Sequence, residues 1–197
     1  MDRNLITYEK LKQIHKDKGY KWYTGVYNLN IGGIRSNDNT PNTFNDWGWC
    51  AYQTETGKGI VWVVKWTTDP GVYWLNHPMN VNGTFILIPG QYIDSHEDGL
   101  HNGKRALVQC GKLSGWRDNN KNDIIDIGGE VFSGVDYMVD IHVMGQILAN
   151  IARWSAGCQG GSEEDIKYLL FLYDKMKQWV KREKISYTLL VENDFKG

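Results

Sequence analysis

The chain has almost no net charge. Its 197 residues carry 22 Lys plus Arg against 23 Asp plus Glu, a formal charge of −1. That balance lacks the basic footprint by which a protein neutralises phosphates, so no nucleic-acid partner is expected. Long apolar runs are missing too: stretches such as 60–64 and 85–88 fall far short of the roughly 18 residues of a membrane-spanning helix. Proline is scarce at four, which argues against a proline-rich linker. The three cysteines, Cys50, Cys110 and Cys158, are odd in number and widely spaced. That pattern disfavours a disulfide framework or a zinc knuckle and leaves at least one thiol free. The opening Met1-Asp2-Arg3-Asn4 leads into a mixed polar segment with no basic start, apolar core or small-residue cleavage site. No secretory signal is read there.

What is present is buriable surface: 41% hydrophobic residues, with nine Trp, eleven Tyr and five Phe. This predicts one compact domain over 1–197. Tyr8, Leu11 and Ile14 recur at helical spacing, with Thr7 as N-cap and Gly19 as stop, and predict a helix over 7–18 at an edge. From 22 to 29 the period changes to two, and strand structure is expected to begin there. Similar runs at 47–53, 59–67, 83–88, 105–112 and 137–142 are separated by Asn, Asp, Gly and Pro clusters. Ser162-Glu163-Glu164-Asp165 has the form of a capping box. Ile166, Leu169, Leu170, Tyr173, Met176 and Val180 then mark one face of a helix running towards Lys184, and 186–192 returns to strand character. The fold class expected is mainly β with flanking helices, an α+β domain.

The chemistry concentrates late in the chain. In 137–142 the apolar Tyr137, Val139 and Ile141 share one strand face, which leaves Met138, Asp140 and His142 on the other. A lone histidine is more often satisfied or solvated than catalytic. Sixteen positions on, after the stretch 145–153, comes Trp154-Ser155-Ala156-Gly157-Cys158-Gln159-Gly160. A thiol on a small-residue turn just before a capped helix is oddly placed for a structural cysteine, which normally sits inside an element. A free thiol has a pKa near ~8.5, so an adjacent imidazole assists nucleophilic work at neutral pH. His142 is the partner the sequence offers.

These residues resemble the L,D-transpeptidase catalytic domain (YkuD-type), whose signature is a strand-borne His followed by a Ser/Thr-x-Gly-Cys turn: here His142 and Ser155-Ala156-Gly157-Cys158. Upstream, Asn82-Gly83-Thr84-Phe85 resembles the family's x-Gly-Thr-Phe strand, so the likeness covers about 80–160. Thr68-Asp69-Pro70-Gly71, with residues 154–159, is also similar to compact phage and gut-bacterial relatives. Ala156 stands where many members carry His, and Gly160 where they carry Arg or Asn.

The resemblance implies a β-sandwich-like domain with an N-terminal helix and a long C-terminal one. Cys158 would attack the L,D peptide bond of a peptidoglycan stem peptide and form a thioester, without cofactor or metal. An amine acceptor then gives a cross-link, and water gives hydrolysis. His142 would be the base, oriented by Asp140 or by a backbone carbonyl. The N–H groups of Gly157 and Cys158 are candidate oxyanion donors, and Ser155 either holds the turn or is an ordinary turn residue. Arg153, Trp154, Asp140 and Gln159 are the candidate substrate contacts. Rival readings are a hydrolase with the same dyad (L,D-carboxypeptidase or endolysin-type endopeptidase) and a non-catalytic wall-binding β-domain. The expected place of action is the cell wall or periplasm, after synthesis in the cytoplasm. The oligomeric state is not legible.

Other candidates read blandly. Cys50 and Cys110 look like buried strand residues. His96 and His101 bracket Glu97 and Asp98 in a polar loop whose spacing matches no zinc motif. The 118–126 loop alternates oxygen donors but lacks the glycine of a calcium loop, so an Asx-rich turn is expected. Trp62, Trp66, Trp74 and Tyr73 either line a glycan groove or pack between sheets. Lys167, Lys175, Lys177, Lys181 and Lys184 read as the solvated face of the last helix.

Overall fold

The computed structural model describes residues 1–38, 40–145 and 150–196. In chain order the elements are α1 (Tyr8–Asp17), β1 (Asn30–Arg35), β2 (Asp46–Gln53), β3 (Gly59–Trp66), α2 (Val72–Asn76), β4 (Thr84–Leu87) and β5 (Gly90–His101). There follow β6 (Lys104–Gln109), β7 (Leu113–Asp118), β8 (Phe132–Gly134), β9 (Ile141–Val143), β10 (Gln159–Gly161), α3 (Glu163–Val180) and β11 (Ile185–Val191). The molecule is mainly β with flanking helices. An eight-stranded mixed sheet runs β10-β9-β6-β5-β11-β1-β2-β3, and a three-stranded antiparallel sheet runs β4-β7-β8.

Thr67, just past β3, exchanges both backbone hydrogen bonds with Gly160 of β10, at 2.8 and 3.1 Å. This bridge brings the two outer strands of the large sheet together beside the cysteine turn. Alternation along β2 feeds two cores: Cys50 and Tyr52 face one, Trp49 and Ala51 the other. α3 buries Leu169, Tyr173 and Met176 in the first core against Ile31, Leu107, Ile141 and Tyr187. α1 buries Leu11 and Ile14 in the second against Ile34, Trp49 and Leu190. A sheet covered on both faces has near-continuous burial, as β1 and β2 do.

Thr7 caps α1 by accepting from Lys10 N, and Ser162 with Asp165 forms the capping box of α3. Several expectations need correction. Residues 22–29 form no strand, because Asn30 takes both backbone groups of Tyr23 with its side-chain amide, and Gly25 and Tyr27 turn to positive φ. α3 stops at Val180 rather than near Lys184, where Lys181 goes left-handed at φ 55°. Positions 137–140 are not strand, since Met138 at φ 52° breaks the alternation. His96 and His101 lie on the long β5, not in a loop. Cys110 sits half-buried just past β6, whereas Cys50 is fully buried. The strands β1, β5, β7, β8 and β10 and the short α2 lie outside the runs expected from periodicity. Positions 146–149 of the 145–153 stretch lie outside the described residues.

Candidate active site

The cysteine turn rests on a buried platform. Arg35 on β1 donates to the Thr68 and Leu87 carbonyls and meets Asp69 at 2.9 Å, while Asp46 on β2 accepts from Thr68 N and Oγ1 and from Ser36 N. Burial drives the carboxyl of Asp46 up to about 7, with the nearby Asp69 adding to it. Thr68 and its neighbours then hold the turn: Gln159 Nε2 donates to the Thr68 carbonyl at 3.2 Å, and Gly71 N to the Ser155 carbonyl at 2.9 Å.

Within the turn, Ser155 is fully buried. Its hydroxyl donates to the Cys158 carbonyl at 2.8 Å and accepts from Gly157 N at 3.1 Å. Gly157 has φ 123°, and a Cβ there would sit 2.5 Å from the Phe85 carbonyl oxygen. Only glycine fits both the dihedral and the contact. The 82–85 segment is thus brought directly against the turn. Gly160 is constrained by contact alone, since a Cβ there would meet the His142 carbonyl at 2.0 Å.

His142 comes from β9, which pairs in parallel with β10 and places Gly160 opposite it. Cys158 Sγ and one ring nitrogen from each of His142 and His101 lie within 4.8 Å of one another. His142 Nδ1 bonds the Val143 carbonyl at 2.8 Å. A carbonyl only accepts, so Nδ1 carries the proton and Nε2 keeps its lone pair. That Nε2 is buried and has no hydrogen-bond partner among the described residues. The thiol donates to the Met138 carbonyl at 3.2 Å, an acceptor that the Met138 kink turns towards it.

The pair is neutral at rest. Burial, with the Asp140 carboxylate adding to it, pushes the Cys158 thiol up to about 12 against a backbone hydrogen bond from Asp140. Burial, then the neighbouring His101, pulls His142 down to about 4. Cys158 is 7% and His142 6% exposed. A neutral thiol–imidazole pair can serve as a nucleophile by passing the thiol proton to the imidazole as the sulfur attacks, without a standing thiolate.

A groove of about 540 Å³ opens on Cys158, walled by Trp74, Phe85, Arg117, Tyr137, Arg153 and Trp154 among others. A smaller lobe of about 130 Å³ opens on His142 and shares His101, Arg153 and Trp154 with it. Arg153 lies 3.8 Å from the Tyr73 ring centroid, and Trp154 is 47% exposed, so both candidate contacts stand at the mouth. The other two do not. Gln159 is fully buried, with its amide committed to Thr68, Gly157 and Tyr187. Asp140 gives its carboxylate to Gln109 N and to His101 Nδ1, not to His142, which leaves the Val143 carbonyl as the orienter. Gly157 N is spent on Ser155, so it is no free oxyanion donor in this arrangement.

His101 is the residue that spacing missed. It stacks on His142 with ring centroids 3.8 Å apart and planes 10° from parallel. Arg117 and Tyr137 also went unremarked as groove residues, and no local pattern marks them. Of the tryptophans, Trp66 is core, Trp74 lines the groove, and Trp62 leans on Tyr168. The 118–126 loop is built on Asx turns, with Asn122 N on Asn120 and Ile124 N on Asn122. No family model, curated protein or solved structure matches the chain.

Proposed function

We propose that the protein is a cysteine acyltransferase of the L,D-transpeptidase kind, acting on peptidoglycan stem peptides through a Cys158 thioester. The observation that carries this reading is a His142 ring nitrogen within 4.8 Å of the buried Cys158 thiol, the thiol lining the groove and the imidazole the adjoining lobe, with His142 Nε2 left unpartnered among the described residues. The Gly157 turn packing on Phe85 supports it further, since the two segments that resemble the family are then one structural unit. The β-sandwich likeness belongs to the same proposal.

In this mechanism the Cys158 sulfur adds to the stem-peptide carbonyl as its proton passes to His142 Nε2. The Cys158 N–H is the turn donor left for the oxyanion once Gly157 N serves Ser155. His142 returns the proton to the departing amine as the C–N bond breaks, leaving the thioester. An incoming amine or water then attacks the thioester carbonyl and releases the thiol. Arg153 and Arg117 offer cationic groups for stem-peptide carboxylates, and Tyr137 and Trp74 offer apolar walls. The missing side chain at Gly160 shifts carboxylate recognition to these arginines.

The test compares wild type with Cys158→Ala on purified peptidoglycan and on defined tetrapeptide and pentapeptide muropeptides, with and without a D-amino acid. Loss or exchange of the terminal residue that needs Cys158 supports the reading. Products that need an added amine mark a transferase; products formed in water alone mark the hydrolase. Unchanged muropeptides under all conditions would leave the wall-binding reading in its place.

A further inference from the structure

The proposed reaction uses one imidazole beside the thiol, yet the fold supplies two. His101 reaches the site from the end of β5, and its Nδ1 is held by Asp140 Oδ2 at 2.8 Å. An ionised carboxylate only accepts, so His101, like His142, has its Nδ1 committed as a donor to a partner behind the ring. Two rings from separate strands thus each bring a ring nitrogen to within 4.8 Å of one sulfur. The His142 Nε2 is buried and unpartnered among the described residues, a state that calls for a ligand. A carboxylate or carbonyl behind each imidazole is the support that fixes tautomer and raises basicity in metal-binding histidines.

We propose that His101, His142 and Cys158 bind a borderline-soft divalent ion, Zn2+ before others, and that the ion switches the nucleophile off. Two imidazoles and a thiolate suit Zn2+ and fit neither Mg2+ nor Ca2+, which take oxygen ligands. Tetrahedral Zn2+ bonds of ~2.0–2.3 Å set ligand atoms roughly 3.3–3.7 Å apart, so a modest closure of the present spacing suffices. The stacked rings splay to aim both lone pairs at one point. His101 has room to tilt, its side chain being 20% exposed at the junction of the two lobes. Binding forms a Zn–S bond and releases the thiol proton to solvent, with no redox change. Ion binding itself stands on the geometry alone; the switching role rests on the proposed acyl chemistry.

The experiment takes the full chain, stripped with a chelator, and titrates it with ZnCl2 against a chromophoric competitor. A parallel titration with Co2+ reads the sulfur-to-cobalt charge-transfer band. One ion per chain is expected, with a charge-transfer band that Cys158→Ser removes. His101→Ala should weaken Zn2+ binding at least tenfold, and Asp140→Asn by about 10–100-fold. Circular dichroism checks that each variant is folded. Should a variant fail to fold, wild-type fold carrying Cys110→Ser and alkylated at Cys158 serves instead and should lose the band. Zinc should also protect Cys158 from iodoacetamide until the chelator is returned. Binding no tighter than in Cys158→Ser, or no sulfur band with Co2+, overturns the inference whatever the enzyme does on peptidoglycan. Zinc binding by a chain that turns over no wall substrate would keep the site and remove the acyl-transfer reading.

Discussion

Tyr187 Oη donates to the side-chain oxygen of Gln159 at 2.9 Å, tying the middle of β11 to the residue that follows Cys158. Gln159 passes this support on through its nitrogen, to Thr68 of the platform and to Gly157 of the turn. All three partners are buried. The position of Cys158 is therefore set by the core and not by the groove surface.

Gln159→Ala should destabilise the fold by about 2–4 kcal/mol, because it takes the partner from the Tyr187 hydroxyl and the Gly157 carbonyl, leaves the Thr68 carbonyl to Arg35 alone, and opens a small cavity. Urea denaturation measures the shift in midpoint. A midpoint within error of wild type would show that the amide is not a support.

Gly157→Ala combines a φ of 123° with a Cβ placed 2.5 Å from the Phe85 carbonyl. The expected cost is at least about 1–3 kcal/mol, with the turn displaced from β4. A lowered Tm together with slowed iodoacetamide alkylation at Cys158 is the anticipated result, and an unaltered alkylation rate would contradict it.

His142→Gln removes the base assigned to take the thiol proton in the proposed acyl step. Turnover of a stem-peptide substrate should fall by about 10²–10⁴-fold in kcat, with the fold retained by circular dichroism. A variant that keeps more than a tenth of the wild-type kcat would show that the proton goes elsewhere.

His96 supplies a pH signature outside the Cys158–His142 pair. It is fully buried between Ser95 Oγ and the Val139 carbonyl, and burial pulls its pKa from 6.5 to about 4. The unfolded chain takes up this proton near pH 6.5 and the folded chain only near 4. Its contribution is therefore complete above 6.5 and is lost as pH falls through 4. The stability gap between wild type and His96→Gln should narrow by up to about 2–3 kcal/mol from pH 7.5 to 4.5. A gap that stays constant across that range would mean His96 titrates alike in both states.

Much of this was legible because its causes are local. Thr7 and Ser162 announce their helices by capping chemistry, and β2 and β3 by runs of aromatic and β-branched residues bounded by turn residues. The Cys158 turn was legible as a run of small residues around a thiol. β1 was not, because Gly32 and Gly33 dilute its strand character. Their reason lies across space: a Cβ at Gly32 would meet the Thr188 carbonyl at 2.0 Å and the Trp49 ring at 2.6 Å. The 22–29 segment alternates like a strand, yet Asn30 captures its backbone from outside the pattern. His101 was hidden for a similar reason. Its partners Asp140, His142 and Cys158 come from distant parts of the chain, and only the pairing of β5, β6, β9 and β10 gathers them.

The central claim is that Cys158 carries an acyl group from a stem peptide. Intact-protein mass spectrometry after brief mixing with a tetrapeptide muropeptide, quenched in acid, tests it most directly. Wild type should gain the mass of the donor minus its terminal amino acid, released as the free amine, on the peptide containing Cys158 and in a form that hydroxylamine removes; Cys158→Ala should gain nothing. An unmodified wild-type protein in the presence of consumed substrate, or an adduct that persists in Cys158→Ala, would contradict the account.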